Sequence, residues 1–510
     1  MPPYASSAPF LVVWLIGLAA LGGTRVALHY HRLGLTLSHY DARGHLVVAR
    51  RILDSITPGW QQIGAVWLPL PHLLNALPVQ VDAWYQSGAS AVAMSIAAYA
   101  LTVGAIAWLI VALTASRLAA VAGAAVFALN PNVLYLQSTP MTEPLLLAFT
   151  VSGAALLFAW CRTSPPPVAT ALVGWTLALA CLTRYEAWPV TVAALTSACW
   201  ARWRQGEPFS SAVGQVAAVA RVPAGAILAF LVFSRAVVGQ WFVSGGFFVP
   251  ENKALGSPLL ASAEVWYGLH LLSGYLIILF AAVGVAALVA LGSASKRWAP
   301  GLIVVALGAT AAVPWVAFMD GHPFRIRYMV PLMALEAIGA GVAAGLVPRL
   351  RLALAILLVG AVAYELHPLD LAAPMVVEAQ WDRPNVPIRA QVTACLGTHR
   401  PGEKIMASMG SLGHYMQETS RAGFALRDFL HEGNGDVWLA AYADGPRPYT
   451  EWVLIEEKAE GGDMLAMRAH EQPHFLDGYA RVCEGAGLAL YKRTDVTGRT
   501  AARSGARGAP

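Results

Sequence analysis

Apolar runs of about 20 residues, each long enough to cross a hydrocarbon core, recur between residues 10 and 366, separated by short stretches rich in Pro, Gly or charge. Nothing else in the chain restricts its fold so strongly. By that length criterion there are about eleven spans, and a chain that crosses lipid this way is an α-helical multi-pass membrane protein. Hydrophobic residues make up 57% of the 510 and charged residues only 12%, where an ordinary soluble domain has roughly 25% charged. Mean hydropathy is +0.56. That much apolar surface needs lipid as its solvent.

After His367 the composition changes: Glu, Asp, Lys, Arg and His become frequent and apolar runs shrink to strand length. The expected organisation is a transmembrane domain over 1–366 with a long first outer loop at 29–86, then a small α/β domain over 367–496. A tail over 497–510, made largely of Arg, Gly, Ala and Ser, is expected to be disordered. Within the α/β domain, strands are expected at 404–409, 452–456 and 488–492 and helices at 386–396 and 410–419.

Basic residues set the topology. With a cytoplasmic N-terminus, the connections holding Arg117, Arg162, Arg202 with Arg204, Lys296 with Arg297, and Arg349 with Arg351 all fall inside. An odd number of spans then puts the 367–496 domain outside. The first segment, 10–28, has an uncharged N-region and no small-residue cleavage site before Arg25, so it reads as a retained span. The net charge is only +5, with no basic block interleaved with aromatics, which argues against a nucleic-acid partner. No repeat of 20 to 50 residues and no matched pair of broken spans appears, which weakens a carrier reading. Of the cysteines, Cys395 and Cys483 fall in the outer domain, where one disulfide and two buried thiols are equally expected.

The first outer loop is too long to be a mere connection. Residues 41–56 place Leu46, Ala49, Leu53 and Ile56 on one side and Arg43, Arg50, Arg51 and Asp54 among the polar positions, the pattern of a helix lying in the interface plane. Trp67, Pro69, Pro71 and His72 follow in a segment whose prolines argue against a regular helix. Asp41, with His45 one turn on, is the leading candidate for a general base; capping with Ser38 is the competing reading, at even odds. Glu143 ends the outer turn after Thr142 and is the second catalytic candidate, against a cap stabilised by the helix dipole. Arg184, Tyr185 and Glu186 interrupt apolar sequence. Residues two apart on a helix do not face each other, so each of that Arg and Glu is expected to find its partner elsewhere.

His322, Arg325, Arg327 and Tyr328 form a dense basic cluster on the outer side, against the positive-inside bias, and call for an anionic partner. Guanidinium donors suit phosphate, with lipid headgroups as the competitor. Lys253 and Arg43 add charge there, and the loop around Gly245 and Gly246 reads as mobile. His72 and His270 lack metal-ligand spacing, so a structural role is expected, and no metal site is predicted.

At these residues the chain resembles the membrane-embedded GT-C superfamily, in the branch of protein O-mannosyltransferases and the aminoarabinose transferases of lipid A. The likeness covers 10–366 and rests on order: Tyr40 and Asp41 early in the outer loop, the Pro69 and Pro71 segment, Asn130 with Pro131, the Thr142 and Glu143 turn, Leu182 to Glu186, then Arg327, Tyr328 and Pro331. The resemblance implies a glycosyltransferase that moves a sugar, with inversion, from a polyprenyl-phosphate donor to an acceptor hydroxyl on protein, lipid or glycan at the extracytoplasmic face of a bacterial inner or plasma membrane. It puts Asp41 at the catalytic carboxylate and Glu143 at the second acid. Arg184, Arg325, Arg327 and Lys253 are then expected at the donor phosphate, and His45, His72, Tyr185, Glu186, His322 and Tyr328 at substrate. Asp41 is followed by Ala42, where many relatives have a second acid. No cofactor is expected to be obligatory, and related enzymes differ in using a divalent metal. The competing readings are a transporter or flippase of a lipid-linked sugar and a non-catalytic subunit of polysaccharide assembly.

Overall fold

The computed structural model describes residues 8–163, 165–241, 252–397, 402–458 and 462–494. The run from Gly245 to Glu251 and the 497–510 tail lie outside them. By internal packing the chain divides into two compact units. One comprises Met1–His39, Gly64–Leu74 and Gly88–Trp381; the other comprises Tyr40–Ile63, Asn75–Ser87 and Asp382–Pro510.

The first unit is a helical bundle. Among the described residues, 6 helices are long and apolar enough to cross a membrane, or up to 7 when the bent pair Leu332–Gly345 and Pro348–Glu365, which turns by 96°, counts as one span. Arg117–Ala128 and Thr170–Cys181 are shorter apolar helices. Expecting about eleven full-length crossings treats every apolar run as one straight helix, whereas several runs fold here as short or broken helices. The outward surface of these helices is lipid-like: Phe10, Trp14 and Leu21 on the first helix and Leu352, Ile356 and Leu357 on the last are exposed. The interior is drawn together by small residues. Tyr275–Ala294 packs along Leu332–Gly345, and a Cβ added at Gly284 would run into the Gly339 carbonyl oxygen. Close backbone approach of this kind is a usual way for helices to associate in lipid.

The second unit is an α/β domain. Its sheet has the order β2-β1-β3-β5-β4, from β1 Ile405–Ala407, β2 Phe429–Leu430, β3 Trp452–Glu456, β4 Tyr479–Gly485 and β5 Leu488–Arg493. β1 pairs in parallel with β2 and β3, while β3, β5 and β4 run antiparallel. Met406, Leu430, Trp438, Val453, Ile455, Leu465 and Phe475 form its core, with Ile56 packed against it. Helices Val386–Cys395 and Met409–Thr419 fall where expected. Cys395 and Cys483 are joined in a disulfide that ties the first of these helices to β4.

The segments of the 29–86 stretch differ from expectation in two ways. The helix that opens with Asp41 runs only from Tyr40 to Arg50, and nine of its side chains, Arg43, His45 and Arg50 included, are buried. It is an interior element packed on Met409–Thr419, and its charged residues are paired by protein groups. The proline segment also contains a short helix, Leu70–Asn75. Pro71 is tolerated because it sits in the first turn, where the backbone N–H has no helical acceptor to lose.

Candidate active site

The Glu143–Trp160 helix has no ionisable residue apart from its first. Glu143 is 0% exposed, and a carboxylate cannot stay ionised in such a place without a cation. Arg184 supplies it, with Nη1 3.1 Å from Oε1 of Glu143. The same guanidinium donates from Nε to both Glu186 oxygens at 3.1 and 3.2 Å and from Nη2 to Oε1 at 2.7 Å. Nη1 also donates to Thr142 Oγ1 at 3.0 Å. This corrects the expectation that Arg184 and Glu186 seek partners elsewhere. The spacing rule holds for helices, and both residues lie in the non-helical turn between Thr170–Cys181 and Ala187–Arg204. The Thr142 side chain makes no cap to the Glu143 helix, since its hydroxyl faces Arg184.

Two consequences follow for binding. Arg184 is already engaged by two carboxylates, so an anion would have to compete with both. The cavity beside Glu143, lined also by Thr102, Gln137 and Val330, is about 10 Å³, room for about one water and too small for a sugar.

The 320–328 segment carries the second group. Arg327 is buried, with its guanidinium 5.1 Å over the Tyr328 ring, and it is near enough to act on Arg184 as a like charge. Arg325 is half-buried. His322 holds its own turn: Nδ1 is 2.8 Å from the Pro323 carbonyl, Nε2 is 3.4 Å from the Tyr328 hydroxyl, and Asn252 donates to its carbonyl. Sequence reading missed Glu378, whose Oε2 accepts the Ile326 N–H at 2.8 Å and whose Oε1 lies 3.9 Å from His39 Nε2. Glu378 therefore fixes the backbone between the two arginines. Its only sequence signal is an acid just past the last apolar run.

The remaining candidates are scattered. Lys253 is exposed. Buried His72 stacks on Trp67 with ring centroids 5.9 Å apart. Tyr185 donates its hydroxyl to the Ala65 carbonyl at 3.3 Å and meets Trp188 edge-on at 5.3 Å. In the other unit, Asp41 and His45 are buried on one helix, and Arg43 between them pairs with Glu418. Ser38 gives its hydroxyl to the Leu35 carbonyl at 3.0 Å. Asp41 and Glu143 belong to different units. Among the described residues no three His, Cys, Asp or Glu side chains converge as a metal site.

No family model matches the chain, and no curated protein matches it by sequence. Solved structures do. ArnT from Cupriavidus metallidurans, bound to undecaprenyl phosphate, superposes with a TM-score of 0.56 at 12% identity over 92% of this chain and 97% of that one. Its apo state gives the same values. The apo oligosaccharyltransferase of Archaeoglobus fulgidus superposes with a TM-score of 0.53 at 12% identity, over 88% of this chain and 70% of that one. At this identity the likeness is one of fold, and ArnT, an aminoarabinose transferase, is of the kind that the order of motifs led us to expect.

Proposed function

We propose that the protein is an inverting glycosyltransferase that moves a sugar from a polyprenyl-phosphate donor to an acceptor hydroxyl on the extracytoplasmic side of the membrane. The observation that carries this reading is fixed positive charge inside an apolar bundle: buried Arg327, with half-buried Arg325 beside it. Ionisable groups in a lipid-embedded bundle are costly and mark sites of function. The shared fold with a protein that binds undecaprenyl phosphate supports the same chemistry.

In the reaction as proposed, the acceptor oxygen bonds to the anomeric carbon from the face opposite the phosphate. The bond from that carbon to the phosphate oxygen breaks, and its electron pair leaves with polyprenyl phosphate. The hydroxyl proton passes to the Asp41 carboxylate, which acts as general base. Arg325 and Arg327, with Lys253, supply fixed positive charge where the leaving group gains negative charge. Arg184 is saturated by Glu143 and Glu186, so these three serve to hold the neighbouring turns, and Glu378 to hold the segment of Arg325 and Arg327. His322 and Tyr328 are the proposed sugar contacts beside these arginines, and His45, His72 and Tyr185 stay candidates for substrate binding. The guanidinium groups neutralise the leaving phosphate, so no obligatory metal enters the scheme.

The test uses the full chain in lipid nanodiscs with native membranes as acceptor and undecaprenyl-phosphate-linked mannose, glucose and aminoarabinose as donors. One donor should be turned over, and Asp41→Asn should abolish transfer while undecaprenyl phosphate still binds. Transfer at the wild-type rate by Asp41→Asn, or binding without transfer of any donor, would overturn the enzyme reading and favour a carrier.

A further inference from the structure

The Tyr40–Arg50 helix is only 11 residues long, too short to be stable by itself, yet the proposed base stands at its start. Something must set its rotation. Arg43 pairs with Glu418 on the Met409–Thr419 helix. The Glu418 carboxylate also accepts from Arg389, at 2.9 Å from Nε to Oε2 and 2.7 Å from Nη2 to Oε1. Arg389, on Val386–Cys395, forks onto Asp382, at 2.8 and 2.7 Å. Asn385 donates to Asp382 at 3.0 Å. Arg43, Arg389 and Asp382 are buried and Glu418 is half-buried, so the four charges alternate in sign along a chain mostly withdrawn from water.

We infer that Glu418 and Arg389 are positioning residues for catalysis, acting through Arg43 to set the direction in which Asp41 points. The inference rests on the proposed role of Asp41. Residues two apart on a helix point about 200° apart, so pinning Arg43 on one side turns Asp41 to the other. The far end of the helix is pinned as well: Arg50 bonds Asp54 at 2.9 Å and Asp82 at 2.6 Å, and Arg51 donates to the Gln62 carbonyl at 2.6 Å. Arg50 and Arg51 hold the C-terminal end, and the Arg43 contact holds the end that carries Asp41. Tyr40 adds a ring contact to His414, one turn before Glu418, at 6.3 Å. The disulfide between Cys395 and Cys483 holds the helix that carries Arg389. The C-terminal domain thereby supplies the frame for the base. A displacement of about 1 Å at a reacting group is worth on the order of 100-fold in rate.

The test compares kcat, KM for the lipid donor and thermal unfolding in the full-length protein for Arg43→Met, Glu418→Met and the double variant, with Asp41→Asn beside them. The double variant removes both charges of the pair and leaves buried Arg389 its fork onto Asp382, so thermal unfolding must show that the fold is kept. It should unfold within a few degrees of wild type, lose about 10- to 100-fold in kcat and keep donor KM within about twofold. Arg43→Lys, which keeps the charge, should recover part of kcat. Wild-type kcat in the double variant, or a loss matched by the loss of folded protein, would overturn the inference. If Asp41→Asn itself transfers sugar normally, the enzyme reading has failed; if Asp41→Asn is inactive while the double variant is not, only the positioning role has.

Discussion

Nη1 of Arg184 lies 3.1 Å from Oε1 of Glu143, a contact made where the carboxylate has no solvent at all. A single guanidinium thus neutralises an acid at the head of an apolar helix and, through its other nitrogens, Glu186 in the next turn. Removing it leaves two buried carboxylates without their shared cation.

Arg184→Met should therefore lower stability by about 3–5 kcal/mol, the usual result of breaking a buried pair from one side. Arg184→Lys should recover only part of that, because an ammonium cannot fork onto two acids. Thermal unfolding in detergent reads both, and an Arg184→Met protein that melts with the wild type would show that the contact contributes nothing.

The approach of Gly284 to the Gly339 carbonyl leaves no room for a side chain. Gly284→Leu should cost about 3 kcal/mol or more through overpacking and reduce the yield of monodisperse protein. Gly360→Ala is the control: a Cβ there meets nothing within 4 Å, and in a helix the change should be neutral or stabilising by up to about 1 kcal/mol. Equal behaviour of the two variants in size-exclusion profiles would refute the packing account.

The β4–β5 hairpin turns through Ala486 at φ 53° and Gly487 at φ 83°, both left-handed, as a two-residue turn of this kind requires. Gly487 is at ease there and Ala486 is not. Ala486→Gly should stabilise the protein by about 1 kcal/mol, read as a higher denaturation midpoint; a lower midpoint would contradict the assignment of strain.

His414 gives a pH prediction for the α/β unit. Burial lowers its imidazole from 6.5 to about 4, with the Arg389 charge pushing the same way, and Asp382 and Glu418 only partly offset them. Arg43 adds a smaller push downward. The folded state thus prefers the neutral ring, so the stability tied to it is complete above pH 6.5 and is lost as pH falls toward 4, about 3 kcal/mol over that window. His414→Gln should flatten this loss. Denaturation midpoints at pH 7 and pH 4.5 for both proteins measure it, and the same drop in each would show that His414 is not the titrating group.

Much of the architecture could be read from the chain because it depends on local pattern. The apolar runs marked the bundle, and the change after His367 marked a mixed domain whose strand at Trp452–Glu456 and helices at Val386–Cys395 and Met409–Thr419 stand where alternation and propensity put them. Site residues were less legible. Glu143 and Arg184 stood out as charges in apolar sequence, but Glu378, Arg389 and Glu418 lie among many other charges, and no local signal separates them.

Sequence alone determined that the chain needs lipid, that its first two thirds are helical, and which charges interrupt them, because hydrophobic period and helix propensity act over a few residues. Tertiary structure alone decided which charges meet. Arg184 and Glu186 pair because a turn replaces the helix that would have kept them apart. Arg43 reaches Glu418, 375 residues away, and so an apparent surface helix becomes a buried one. Such pairings are set by three-dimensional proximity in a medium of low dielectric, which a linear pattern does not encode.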